Sequence, residues 1–145
     1  MNLKNYTSAV PVNRTVARIE ELLAAAGASN VSKEYREGRL LTLNFAIRNG
    51  VKTLAFRMPA DADKVYEYMR KQVSRPYRGT EDRLRQQAER TAWKLLQDSL
   101  EVEISRLKLQ QTEFLQVFLP YVWDGEQTFY ERLKAGGFKQ LPERT

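Results

Sequence analysis

Residues 40–60 read LLTLNFAIRNGVKTLAFRMPA, two alternating apolar and polar runs on either side of Asn49-Gly50. An Asn-Gly pair between such runs is typical of a two-residue type I′ hairpin turn. A two-residue loop pairs Arg48 with Val51, and this register gathers the large apolar side chains on one face of the hairpin. It predicts three apolar cross-strand pairs: Leu41 with Met58, Leu43 with Phe56, and Phe45 with Leu54.

A further strand is expected before this hairpin, in residues 30–36. A three-residue loop at 37–39, bulged at Gly38, places Tyr35 against Leu41 and Val31 against Phe45. A two-residue loop would instead turn polar residues towards the apolar face. The sequence therefore predicts a three-stranded antiparallel meander, and residues 4–11 are a candidate fourth strand.

Helical patterns flank the sheet. Apolar residues repeat at helical spacing from 13 to 26, and Gly27 follows where a left-handed residue ends many helices. Asp61 begins a short second helix after Pro59 ends the last strand. Thr80, followed by two acidic residues, begins a long helix that contains neither Pro nor Gly up to Leu119.

These elements predict an α+β fold in one domain. We expect residues 1–73 to hold the sheet and two helices, 74–79 a loop, 80–119 the long helix, and 120–145 an aromatic tail with a short helix.

The long helix is apolar on two opposite sides. One stripe includes Trp93, Leu100 and Ile104 and is expected to face the sheet. A second stripe lies about 180° away, and two opposite stripes need two partners. We predict that the second stripe forms a homo-oligomer interface; the alternative is that another part of the same chain covers it. Its members are Leu84, Ala88, Leu95, Val102 and Leu109.

Composition excludes several classes of function. The 145 residues include no Cys and no His, which rules out disulfides, Ser-His-Asp or Cys-His catalysis, and His- or Cys-ligated metal sites. No run approaches the roughly 20 apolar residues of a membrane span, and the N-terminus lacks the apolar core of a signal peptide. We therefore expect a cytoplasmic protein without cofactors.

Charge is distributed unevenly along the chain. Residues 1–79 hold 14 basic and 7 acidic side chains, whereas residues 80–145 hold 10 and 11. Such asymmetry favours an anionic partner such as nucleic acid or a nucleotide, although an ordinary basic surface would look the same.

Two surfaces are candidates for that partner. The segment from 66 to 80, YEYMRKQVSRPYRGT, mixes aromatic and basic residues, a combination that suits phosphate contacts and base stacking. The other is the outer face of the hairpin, where an Arg-containing polar face could hold a phosphate or be simply solvated. The candidate ligand-binding residues are Arg70, Lys71, Arg75, Tyr77 and Arg78 in the segment, and Asn44, Arg48 and Arg57 on the hairpin.

No catalytic motif is present in the sequence. Asp61 and Asp63 are interpreted as capping residues, and Glu89 and Arg90 as surface ion-pairing groups. A Mg²⁺-dependent phosphodiesterase would need a convergent acidic cluster, which the sequence does not indicate. We therefore expect a protein that is not an enzyme.

Four stretches resemble small uncharacterised proteins encoded by tailed phages and prophages. They read VPVNRTVARIEELL, FRMPA, QAERTAWKLLQDSLEVEISRL and EFLQVFLPYVWDGEQTFYERLKAGGF. That family has no assigned activity, so the resemblance transfers no functional residue. It implies a protein made in a bacterial cytoplasm by a phage or mobile element. We expect it to bind an anionic ligand, in counter-defence against the host; the alternative is docking on a host or phage protein through the long helix.

Overall fold

The computed structural model describes residues 3–144 and confirms the α+β class, with one antiparallel sheet in the order β1-β2-β3. The N-terminal helix precedes the sheet, and the remaining helices follow it. The elements are α1 Val12–Ala25, β1 Ala28–Arg36, β2 Arg39–Asn49, β3 Lys52–Pro59, α2 Ala62–Lys71, α3 Thr80–Lys108, α4 Phe114–Phe118, a short 3₁₀ turn Leu119–Tyr121, and α5 Phe129–Ala135.

The β2–β3 hairpin has the predicted faces but not the predicted register. Asn49 pairs with Lys52, so the loop consists of Gly50 and Val51. Gly50 has φ of 67° whereas Val51 is not left-handed, and a positive φ at the first loop position alone suits a type II′ turn. The register is shifted by two residues, which keeps every side chain on its predicted face. The resulting apolar pairs are Leu43 with Met58, Phe45 with Phe56, and Ile47 with Leu54.

Strand β1 joins β2 through a two-residue turn, shorter than predicted. Glu37 and Gly38 form it, with φ of 52° and 76°. The extra residue predicted in the loop lies instead on β2, where Leu41 is bulged between Leu40, the partner of Tyr35, and Thr42, the partner of Glu34. The predicted pairing of Tyr35 with Leu41 is therefore wrong. Beyond this bulge the predicted pairing of Val31 with Phe45 is confirmed.

The main core lies on one face of the sheet, between the strands and helices α1 and α3. Trp93 is fully buried at its centre, and the predicted stripe of α3 faces the sheet. Each buried Leu, Ile or Phe side chain removed from water stabilises the fold by roughly 1.5–3 kcal/mol. Buried core residues include Ile19, Leu23, Leu43, Phe56, Leu100, Ile104 and Phe118.

The prediction of one helix over residues 80–119 is wrong at its C-terminal end. Helix α3 ends at Lys108, and Gln110 adopts a left-handed φ of 59°. The break lets α4 fold back over the sheet, where the rings of Phe114 and Phe56 pack with centroids 5.3 Å apart. A polar residue at positive φ gives no strong sequence signal, and burial of the two Phe rings of α4 stabilises the reversal.

Residues 4–11 form no strand, contrary to the prediction. The segment runs along α3 instead, where the Thr91 hydroxyl donates to the Asn5 carbonyl at 2.8 Å and the Gln87 amide donates to the Ser8 carbonyl at 3.0 Å. The Asn5 amide also donates to the Asp98 carboxylate at 2.9 Å. Part of the second face of α3 is therefore covered within the chain.

The C-terminal segment binds the free edge of β3. Val122 forms a β-bridge with Phe56, and the Trp123 N–H donates to the Ala55 carbonyl at 2.9 Å. Thr128 caps α5 by accepting from the Glu131 N–H at 3.2 Å, which confirms the predicted short helix. The segment thus extends the sheet beside β3 and covers an edge that would otherwise expose unpaired backbone groups.

Candidate functional site

Helices α2 and α3 form a helical hairpin with its own small hydrophobic cluster. Met69 of α2 packs against Leu84 and Ala88 of α3, and all three are buried. Helix α2 packs chiefly against α3, while the core under the sheet involves the later part of α3. The structure corrects the oligomer-interface prediction for Leu84 and Ala88, because α2 occupies that surface.

The loop of the helical hairpin is anchored at the start of α3. The Tyr77 N–H donates to the Thr80 hydroxyl at 2.9 Å, and the Thr80 N–H donates to the Tyr77 carbonyl at 3.0 Å. Thr80 is buried, and Gly79 takes a φ of 89° that few other residues adopt readily. The backbone of Tyr77 is held in this way while its side chain remains 67% exposed.

Residues 70–83 connect the two helices and include five basic side chains, and we call them the hairpin tip. The predicted residues Arg70, Lys71, Arg75 and Arg78 all lie here, and Arg83 of the first turns of α3 adds a fifth. Among residues 3–144, no carboxylate lies within 4.0 Å of any of the five. The tip holds five basic and two acidic residues, so it carries an excess positive charge.

Arg83 is the residue of the tip that sequence reasoning missed. Its sequence signal is weak, because Glu81 and Asp82 separate Arg83 from Arg78, the last cation of the predicted segment. The predicted segment ended at Thr80, where α3 begins, although the exposed surface of the tip continues into the first turn of that helix. The neighbouring Arg85 differs, because it pairs with Asp63 at 3.7 Å and lies 4.0 Å from the centroid of the Tyr66 ring.

On the outer sheet face, the structure brings Asn44 and Arg57 together. Both donate to Glu34: the Asn44 amide to one carboxylate oxygen at 2.7 Å, and the Arg57 guanidinium to the other at 3.1 Å. Arg57 also lies over the Trp123 ring at 5.7 Å. Its charge is therefore already neutralised by Glu34 and covered by Trp123, which disfavours the predicted phosphate contact here.

Two details of the predicted sheet site are wrong. The predicted hairpin register would place Arg57 opposite Thr42, but Arg57 pairs with Asn44, and Thr42 lies opposite Pro59. Arg48 is not part of the cluster, because its Nε donates to the Gly50 carbonyl in the hairpin turn at 3.0 Å. The outer face therefore does not concentrate free positive charge.

A cleft with a volume of about 1030 Å³ lies between the β1–β2 turn, the start of α2 and α3. Four basic and five acidic residues line it, together with Leu40, Leu41, Pro59 and Tyr66. Arg39 on the turn pairs with Glu89 on α3 at 3.2 Å. Asp61 precedes α2 in the predicted N-cap position, but its side chain does not cap the helix. With charges of both signs on its walls, the cleft has no preference for an anion.

Glu89 and Arg90, interpreted from the sequence as surface ion-pairing groups, have partners within the fold. Glu89 pairs with Arg39, and Arg90 donates to the Ser8 carbonyl at 3.1 Å and to the Gln87 side chain at 2.6 Å. Within residues 3–144, no group of three carboxylates is arranged to hold a metal ion. The contacts of Glu89 and Arg90 are therefore ordinary ion pairs and hydrogen bonds that hold the fold together.

The strongest carboxyl pKa shift belongs to a turn rather than to a candidate site. The Gln127 and Glu126 backbone N–H groups donate to Asp124, and with the Arg132 guanidinium they lower the pKa of Asp124 to about 2. These bonds shape the approach to α5, so the shift reflects a turn, not a reactive group.

No protein-family model, curated protein or solved structure matches this chain. Within residues 3–144, no helix is both long enough and apolar enough to cross a bilayer.

Proposed function

We propose that this protein is a non-enzymatic binding protein for an anionic ligand, nucleic acid or nucleotide, and that the hairpin tip is its contact surface. The observation that carries the proposal is the group of five basic side chains that lie farther than 4.0 Å from every carboxylate within residues 3–144. Tyr77, 67% exposed beside Arg75 and Arg78, adds an aromatic surface for stacking.

Arg57 and Arg39 on the other candidate surfaces are already paired with carboxylates, and this favours the tip as the binding surface. A phosphate that approaches Arg57 must compete with Glu34, and one that approaches Arg39 must compete with Glu89. A phosphate at the tip displaces only water, and charge-assisted hydrogen bonds from guanidinium groups are about twice as strong as neutral ones. The excess positive charge also speeds the association of an anion at low salt.

The sequence resemblance supplies the proposed biological setting. A phage-encoded accessory protein acting in the bacterial cytoplasm could bind nucleic acid, or sequester a nucleotide signal of host defence. Both activities require an anion-binding surface and neither requires catalysis.

The first prediction concerns replacement of the four basic residues found from the sequence. Arg70, Lys71, Arg75 and Arg78 together changed to Ala should weaken binding of a labelled oligonucleotide or ATP analogue by roughly 100-fold or more, because each charged contact contributes over 1 kcal/mol. Thermal stability should change little, since the loss of basic residues at the end of α2 costs only about 0.3–1 kcal/mol. Fluorescence anisotropy and thermal melting measure the two effects.

A matched control separates the site from the net charge. Four other basic residues are exposed and form no ion pair with any carboxylate in the described part of the chain, so changing them to Ala removes the same charge from other surfaces; they are Arg14, Lys52, Lys139 and Arg144. This control should weaken binding by no more than a few fold. Equal losses in the two variants, or no binding of either ligand by the unaltered protein, would contradict the proposal.

A second candidate function rests on the uncovered end of the second stripe of α3. Val102 and Leu109 are 60% and 68% exposed, and Leu95 is half-buried on the same line. A groove of about 370 Å³ beside Val102 is lined by Lys4, Asp98, Glu101 and Ser105. Exposed apolar residues spaced by seven favour docking on another helix, either in a second copy or in a host or phage protein.

The second prediction is the mass of the protein in solution. If the exposed stripe pairs two copies, native mass spectrometry at micromolar concentration should show a dimer that Val102→Glu converts to monomer. A monomer before substitution would contradict the homo-oligomer, and the search would move to other protein partners.

A further inference from the structure

The hairpin tip lies outside the two clefts described above. None of its basic residues lines the cleft of 1030 Å³ or the groove of 370 Å³. Lys71, Arg75, Tyr77, Arg78 and Arg83 are exposed on a helix end, a loop and a helix start. Sites for small molecules are concave and bury most of the ligand surface. Side chains this exposed would bury little of a free nucleotide, whereas a polymer needs only a series of contacts.

The five cations follow one another along the chain around the turn of the helical hairpin. Arg70 and Lys71 occupy the last turn of α2, Arg75 and Arg78 the loop, and Arg83 the first turns of α3. A repeating phosphodiester backbone can contact several such groups at once. A mononucleotide has one phosphate group or chain and can engage only the nearest of them.

Aromatic side chains alternate with these cations. Tyr77 lies in sequence between Arg75 and Arg78, and Tyr68, 45% exposed, precedes Lys71 by three residues and so neighbours it on the helix surface. An exposed ring can stack on a base only when that base is unpaired and accessible. In a duplex the base faces are stacked on each other, so these tyrosines would add little to the binding of double-stranded nucleic acid.

We propose that the hairpin tip binds single-stranded nucleic acid, with phosphates on the five basic side chains and a base stacked on Tyr77. The inference rests on the proposed anion-binding function and narrows its ligand to an unpaired polynucleotide. The backbone hydrogen bonds of Tyr77 with Thr80 hold the stacking residue in place before the strand arrives, which reduces the entropy lost on binding.

The third prediction is a comparison of ligands and of salt dependence. By anisotropy, labelled oligothymidylate should bind more tightly than a duplex of equal length, and an ATP analogue should bind weakly or not at all. Five phosphate contacts give a slope of log affinity against log salt of roughly −3.5, and Arg83→Ala should reduce its magnitude by about 0.7.

Stacking is tested in the same assay. Tyr77→Ala should weaken oligothymidylate binding by about 5- to 150-fold, whereas Tyr77→Phe, which keeps the ring, should bind nearly as the unaltered protein does. Tyr35→Ala is the matched control, because Tyr35 is 62% exposed on β1 and lies outside the tip. The fold of each variant is checked by circular dichroism, which should not change because these side chains are exposed.

The possible outcomes distinguish the single-strand inference from the broader proposal that the tip binds anions. Binding of the duplex as tight as that of the single strand, or a Tyr77→Ala variant that binds normally, would overturn the single-strand inference while leaving anion binding at the tip intact. Tight binding of the ATP analogue that is lost in the four-residue variant would overturn it in the same way. Binding of none of the three ligands would overturn both proposals.

Discussion

Replacing Trp93 with Ala is expected to lower the free energy of unfolding by about 3–5 kcal/mol. Trp93 is fully buried where α3 meets the sheet, so the substitution removes its ring from the centre of the main core and leaves a cavity. A domain of this kind is stable by roughly 5–15 kcal/mol, and the loss is therefore a large part of the total.

Urea denaturation followed by circular dichroism measures this loss. Trp93→Phe should cost less, because a smaller part of the ring volume is removed. Leu109→Ala is the control at the residue that follows α3, since Leu109 is 68% exposed and surface substitutions stay within about 0.5 kcal/mol. A Trp93→Ala variant as stable as the Leu109→Ala variant would show that α3 does not pack on the sheet as described.

Leu84→Glu is expected to detach α2 from α3. Leu84 is buried in the cluster with Met69 and Ala88, and a carboxylate there has no basic partner inside the cluster. The cost should exceed the roughly 2–5 kcal/mol of a buried Leu→Ala change, because a charge is also moved out of water. The main core under the sheet contains none of these three residues, so unfolding should be confined to the helical hairpin.

Hydrogen exchange resolves this local effect. Amide protection should fall in α2 and the start of α3 and persist in β2. Val102→Glu is a closely matched control, because position 102 lies 18 residues, or five full turns, along the same helix and therefore at the same angle. Val102 is 60% exposed, and its substitution should leave exchange in α2 and the start of α3 unchanged. Loss of protection throughout the chain in the Leu84→Glu variant would contradict two separate clusters.

The sequence pattern predicted most of the elements because their signals are local. Alternation on both sides of Asn49-Gly50 indicated the hairpin and its apolar face, and the stripe through Trp93 indicated the side of α3 that faces the sheet. The predicted register of the β2–β3 hairpin was wrong by two residues. A loop at Asn49-Gly50 and a loop at Gly50-Val51 leave the same side chains on each face of the sheet. Pattern alone cannot separate registers that differ by an even number of residues.

The basic residues of the candidate site could also be predicted from the sequence, but the extent of the site could not. Charged and aromatic residues close together in the chain, such as Arg75, Tyr77 and Arg78, remain close in any fold. Whether a distant carboxylate neutralises an arginine depends on tertiary structure: Glu34 reaches Arg57 from another strand, while none reaches the tip among the described residues.

By itself, the sequence determined the α+β class, the apolar face of the sheet, the two-sided character of α3 and the location of its basic loop. All of these follow from periodicity and composition over a few neighbouring turns or strands. Tertiary structure alone decided what covers the second side of α3: α2 over Leu84, the N-terminal segment over Thr91, and neither over Val102. It also decided that the chain reverses at Gln110, because the burial of Phe114 and Phe118 on the sheet outweighs the local preference to continue the helix.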